Sequence, residues 1–235
     1  MKLWSRFAWA LAFASISFAV GTALAHAATP ATHKAGKGCW SGYSYAGVQS
    51  PSSSYGVSGT IAMLTAPAVA NGHVAAWVGV GGAGLGPGGS DEWVQVGIAR
   101  DAGAGDTLYY EVKRPGDTTA QYVALGPVAA GETHKIAVLE RGGRRDAWHV
   151  WVDGARVSPA LVLPGSHGAF QPIATAESWD GGASVCNRYA YSFGDLAVAT
   201  TPGGSWQPFQ LAHVLRDPAY QLTLRAAGFT ASSRS

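Results

Sequence analysis

Charge is scarce in this sequence. Asp, Glu, Lys and Arg make up only 13% of the 235 residues, and no basic patch interleaved with aromatic residues occurs. Backbone-neutralising contact with nucleic acid needs such a patch, so that class of partner is excluded. Cysteine is nearly absent: Cys39 and Cys186 are the two. Two cannot build a zinc cluster by themselves or a disulfide-dense scaffold, but in an exported chain they suffice for one bridge. A Cys39–Cys186 disulfide would close most of the chain, worth about 4–5 kcal/mol in the loop-entropy picture.

Long apolar runs are missing too, with one exception. Lys2 and Arg6 precede an apolar stretch from Phe7 to Leu24, and Ala23–Ala27 offers small residues at cleavage spacing. Residues 1–27 therefore read as a secretory signal peptide, and residues 28–38 as a flexible leader. No later run is long enough to span a bilayer, so no membrane contact is expected after cleavage. The signal segment holds two of the 16 basic residues and none of the 14 acidic ones, so 14 cations balance 14 anions in the remainder. The expected location is extracellular or periplasmic.

Catalytic signatures are also lacking. There is no H-E-x-x-H, no G-x-S-x-G and no Cys/His spacing for zinc. The sequence GVGGAG at 79–84 formally matches a dinucleotide fingerprint, but another strand follows where a helix is required; it reads as a glycine-rich loop. Six of the seven histidines lie beyond residue 27 and are scattered. His149, in WHVWVD, reads as a sheet residue. Neither a metal nor a cofactor is expected.

What the chain does have is 32 glycines and short runs rich in Val, Trp and Tyr. Strands are predicted at 57–63, 73–81, 92–99, 107–113, 120–126, 133–140, 147–153, 160–164, 169–177, 188–199 and 220–226. Many short strands at even spacing mean an all-β sandwich or barrel. Asp153-Gly154 sits where a type I′ hairpin turn belongs. One domain over 39–226 is expected, with a fraying tail at 227–235.

One strand poses a specific question. In EWVQVGIA, Glu92, Val94, Val96 and Ile98 point one way; Trp93, Gln95, Gly97 and Ala99 point the other. An uncharged amide mid-strand, flanked by a tryptophan and small residues, leaves room for something. Strand parity puts Trp77 with Gly79 and Gly81, and Tyr109 with Glu111 and Lys113. If the three strands are neighbours, one face carries Trp77, Trp93, Tyr109, Gln95 and Glu111. Aromatic walls with a few convergent polar groups describe a ligand cleft; the structural alternative is ordinary tryptophan packing on a partly solvated face. Glu92, at the strand's start, is expected to keep its charge in solvent.

The segments VSGTIAMLTAP (57–67), AAWVGVGG (75–82), EWVQVGIA (92–99), LYYEVKRP (108–115) and ATAESWDG (174–181) occur in the order and rough spacing of the glutamic peptidases, the eqolisins. The chain resembles a divergent member of that family over about residues 41–200, and SYAG (44–47) is similar to its opening turn. The resemblance implies a sandwich of two antiparallel sheets of the concanavalin A-like jelly-roll type. It implies that Gln95 and Glu177 are the catalytic pair, with Trp77, Trp93, Tyr109, Glu111 and Trp179 toward the substrate. The implied protein is a secreted, monomeric acid endopeptidase acting on polypeptide without metal or cofactor. The departures are Gly81 in place of an acidic residue, Val112 in place of a tryptophan with Lys113 and Arg114 after it, and Ser178 between Glu177 and Trp179. They touch the cleft's acidic support and its wall. Two other readings stand beside it. A non-catalytic lectin-like module would hold peptide or glycan on the aromatic face. A glycoside hydrolase would need two carboxylates across a sugar-sized gap, for which Glu111 and Glu177 are the pair. Asp180, in WDGG, reads as a turn residue.

Overall fold

The structure, a computed structural model, describes residues 42–183, 185–210 and 213–233. It is a sandwich of two antiparallel sheets. In chain order the strands are β1 Tyr43–Gln49, β2 Gly56–Ala68, β3 His73–Gly82, β4 Glu92–Asp101, β5 Thr107–Lys113, β6 Gln121–Pro127, β7 Thr133–Glu140 and β8 Ala147–Val152. They continue with β9 Ala155–Arg156, β10 Leu161–Val162, β11 Pro172–Trp179, β12 Arg188–Ala199, β13 Trp206–Pro208, β14 His213–Arg216, β15 Tyr220–Arg225 and β16 Gly228–Ser233. One sheet runs β14-β1-β11-β3-β4-β5-β6; the other runs β10-β8-β7-β2-β12-β16-β15, with β9 and β13 paired at its sides.

The core lies between the sheets and follows the period-2 pattern. Val74, Ala76, Val78 and Val80 of β3 and Val94, Val96 and Ile98 of β4 face inward. Ile61 and Met63 of β2, Val138 of β7, Trp148 of β8 and Tyr191 and Phe193 of β12 meet them. Each such aliphatic or aromatic side chain contributes about 1.5–3 kcal/mol by leaving water. The Asp153-Gly154 turn joins β8 to β9 with both residues at positive φ (49° and 81°), as a type I′ turn requires.

Several expectations are corrected. Residues 227–235 were expected to fray, yet Gly228–Ser233 pairs along β12 and β15. Phe229 and Ala231 are fully buried, and Phe229 stacks on Phe193 at 4.3 Å. Thr230, Ser232 and Ser233, the small polar residues beside them, are half-buried, and their number is why the segment reads as a tail. SYAG is not a turn but the middle of β1. Gly79 to Gly82 belong to β3, so the glycine-rich loop starts only at Ala83. Glu92 does not reach solvent. It is fully buried, as the parity it shares with Val94 dictates. Cys39, the signal segment 1–27 and the leader 28–38 lie outside the described residues. Among the described residues no helix is long and apolar enough to cross a membrane.

Candidate active site

Over β11, β3, β4 and β5 the outer face of the first sheet is also buried. β3 has no exposed position on either side. Parity and register assemble this face. Gln95 of β4 lies opposite Gly79 of β3, and Gly97 opposite Trp77. A Cβ at Gly79 would sit 2.8 Å from the Gln95 Cβ, and one at Gly97 would sit 2.7 Å from the Trp77 Cβ. The two glycines therefore exist to seat the amide and the indole across the ladder. On the other flank, β11 pairs with β3 so that Thr175 faces Trp77 and Glu177 faces Ala75.

A cleft opens over this face. Trp77, Trp93, Gln95 and Glu177 line it, as the sequence reading expected, together with Tyr45, Leu85, Ile173, Thr175 and Leu215. Tyr109, Glu111 and Trp179 share the face without lining the cleft. Tyr109 stacks on Tyr122 with centroids 4.9 Å apart, and Trp179 stacks on Tyr43 at 5.9 Å.

The polar groups are held in pairs. Trp77 Nε1 donates to Glu177 Oε2 at 3.3 Å, and His73 Nε2 lies 2.9 Å from Glu177 Oε1. Trp93 Nε1 donates to Glu111 Oε1 at 2.8 Å, and Gln95 Nε2 donates to the Tyr109 hydroxyl at 3.2 Å. An amide nitrogen carries two protons, so one remains for a ligand. Burial pushes the Glu111 carboxyl up to about 7; the Trp93 bond pulls it back, and the like charge of Glu177 adds to the rise. The Tyr109 phenol is raised by burial first, then by Glu177 and Glu111.

Gln95 and Glu177 thus share one cleft but not one hydrogen bond. Their partners on β3, Gly79 and Ala75, are four residues apart, about 13 Å along the strand, and two strand spacings separate them across it. Trp77 stands between them. By register the carboxylate next to Gln95 is Glu111, directly opposite it on β5. The space over Trp77 can hold a substrate group, with an acceptor on one side and an amide donor on the other.

Sequence reasoning missed several members of the site. His73 shares parity with Trp77 on β3, a signal that was available; Tyr45 meets Glu177 only through the pairing of β1 with β11, where no strand was predicted at 43–49. Leu215 comes from β14, a strand that the polar sequence HVLR does not announce. Asp180 is the turn residue expected: its Oδ1 accepts from the Gly182 and Gly42 amides. Among the described residues no three His, Cys, Asp or Glu side chains converge in a way that could hold a metal ion.

The fold is similar to that of solved glutamic peptidases. Scytalido-glutamic peptidase, in complex with a peptide-based transition-state analog, superposes with a TM-score of 0.57 at 15% identity over 83% of this chain and 100% of that one. SCP-B, a member of the eqolisin family of peptidases in complex with the tripeptide Ala-Ile-His, superposes with a TM-score of 0.51 at 17% identity over 83% and 98%. At these identities the likeness is one of fold. The sequence matches no family profile and no curated protein.

Proposed function

We propose that this protein is a secreted acid endopeptidase of the glutamic type, with polypeptide as its substrate. The observation that carries the reading is the opening of Gln95 and Glu177 into a single aromatic-walled cleft. A peptide carbonyl lies over Trp77, between the two. Glu177, ionised, takes a proton from a water beside it, and the water attacks the carbonyl carbon. The free N–H of Gln95 stabilises the oxyanion that forms. An amide does not titrate, so it serves at acid pH; such a donor is worth about 3–4 kcal/mol of barrier. Glu177 then returns the proton to the leaving amine, and the C–N bond breaks. Trp77 and Trp93 flank the chain being cut, and Leu85, Ile173 and Leu215 offer an apolar pocket beside it.

Acid conditions also suit Glu111. Below about 7 it is protonated, and its repulsion of the Glu177 charge disappears. The experiment is hydrolysis of a denatured protein by the purified mature chain at acidic and neutral pH, with Glu177→Gln and Gln95→Ala as controls. A second reading draws on the register offset. Because Gln95 and Glu177 have separate partners and do not meet, a non-catalytic module that binds peptide or glycan in the same cleft is the alternative. It predicts binding without cleavage by a folded protein.

A further inference from the structure

His73 is needed neither for a Gln–Glu mechanism nor for the groove wall, yet the fold commits it to Glu177. Its Nε2 lies 2.9 Å from Glu177 Oε1, with the two side chains only 10% and 5% exposed. The backbone at this point is fixed. Asn187 Nδ2 donates to the carbonyls of Asn71 at 2.8 Å and Trp179 at 2.9 Å, and reaches that of His73 at 3.4 Å. Gly72, at φ 68°, turns the chain into β3 where a Cβ would meet the Gly181 nitrogen at 2.6 Å.

The surroundings select the charged ring. Glu177 faces it from β11. Asp101 stands opposite it on β4, and Glu111 acts on it from β5. Tyr43 of β1 meets it edge-on at 5.9 Å, and the Trp179 ring lies 5.6 Å away, within the range where an indole attracts a cation. None of these neighbours is a cation. Burial alone would lower the ring's pKa; the hydrogen bond and charge of Glu177, then Asp101 and Glu111, outweigh it and leave it raised.

We propose that His73, as an imidazolium, is the positioning residue that holds Glu177 ionised and turned into the cleft at acid pH, so that the proton acceptor is a carboxylate–imidazolium pair. His73 donates to Oε1 and keeps its own proton throughout. Oε2, which among the described residues accepts only the long bond from Trp77, is left to receive the proton of the water. The consequence for turnover rests on the peptidase reading; the pairing itself does not.

Two measurements test it on the mature protein. The first is an imidazole NMR titration of the wild type and Glu177→Gln, with His73→Gln used to assign the resonance. Removing an opposite charge this close shifts a pKa by about one unit or more, so the His73 midpoint should fall by that much in Glu177→Gln. The second is the pH profile of kcat/KM. His73→Gln keeps a hydrogen-bond donor and loses the charge, so its acid limb should move up by about one pH unit or more. A merely structural role would lower the whole profile without moving its limb. An unchanged midpoint, or superimposed acid limbs, overturns the proposal. If His73→Gln does not fold, the resonance is assigned by through-bond NMR on the wild type, and the Glu177→Gln titration still decides. If the midpoint falls while the wild type cleaves nothing, the pair stands and the peptidase reading is what fails.

Discussion

The two faces of the seven-stranded sheet are built from the same strands, and over β11, β3, β4 and β5 both are buried, but by opposite chemistry. On β4 the inward residues beyond the buried Glu92 at its start are Val94, Val96 and Ile98; the outward ones are Trp93, Gln95, Gly97 and Ala99. The inward face obtains its burial by filling space. The outward face sets two buried carboxyls and an amide among indoles and phenols, and uses glycine to make room for them. Burying ionisable groups costs free energy, so a face of this kind is retained for something other than stability.

That contrast can be broken in several ways. On the proposed mechanism the largest effect belongs to Glu177→Gln, which should lower kcat by about 10²–10⁴-fold; because it leaves the buried His73 imidazolium without its partner, it should also lower the thermal midpoint at acid pH. Gln95→Ala should lower kcat by about 10²–10³-fold, with KM affected less. Steady-state kinetics beside calorimetry separates these from folding defects. The core offers the converse. Phe229→Ala removes a fully buried ring stacked on Phe193 and should cost about 3–5 kcal/mol of stability. Activity per folded molecule should be unchanged, because β16 belongs to the other sheet; denaturant unfolding measures the loss.

The smallest effect concerns Glu111, and its sign is specific. Its carboxyl titrates near 4.5 when unperturbed and at about 7 in the fold. Between these values the folded protein holds a proton that the unfolded chain has released, so stability falls as pH rises through that window, by about 3 kcal/mol in full. Glu111→Gln keeps an acceptor for Trp93 and removes the titration. The variant and wild type should unfold together at about pH 4 and diverge as the pH rises to about 7, above which the variant stays more stable by a constant margin. Parallel curves across that range would mean that the carboxyl is not perturbed.

Much of the outward face was legible as parity. Gln95, Trp77 and Trp93 fall on one side of their strands by counting twos, and the structure puts them in one cleft. Parity does not say which strands are neighbours. β11 inserts between β1 and β3, a pairing across about a hundred residues, and only that brings Glu177 to the cleft and against His73. The four-residue offset between Gln95 and Glu177 is likewise a matter of register. Glu92 shows a different limit. Its parity pointed inward with Val94, but a glutamate is rarely fully buried, and the general expectation overrode the local one. Its burial pushes the carboxyl up to about 7. β16 was hidden because Phe229 and Ala231 are its only wholly inward apolar residues, too few to stand out among threonine and serines.

The central claim is that the cleft hydrolyses peptide bonds through Glu177 and Gln95. The most direct test incubates the purified mature chain with a denatured protein from about pH 3 to pH 8, alongside Glu177→Gln and Gln95→Ala. The account predicts cleavage on the acid side that both substitutions abolish. Cleavage that survives both, or a folded wild type that cuts nothing at any pH, would contradict it.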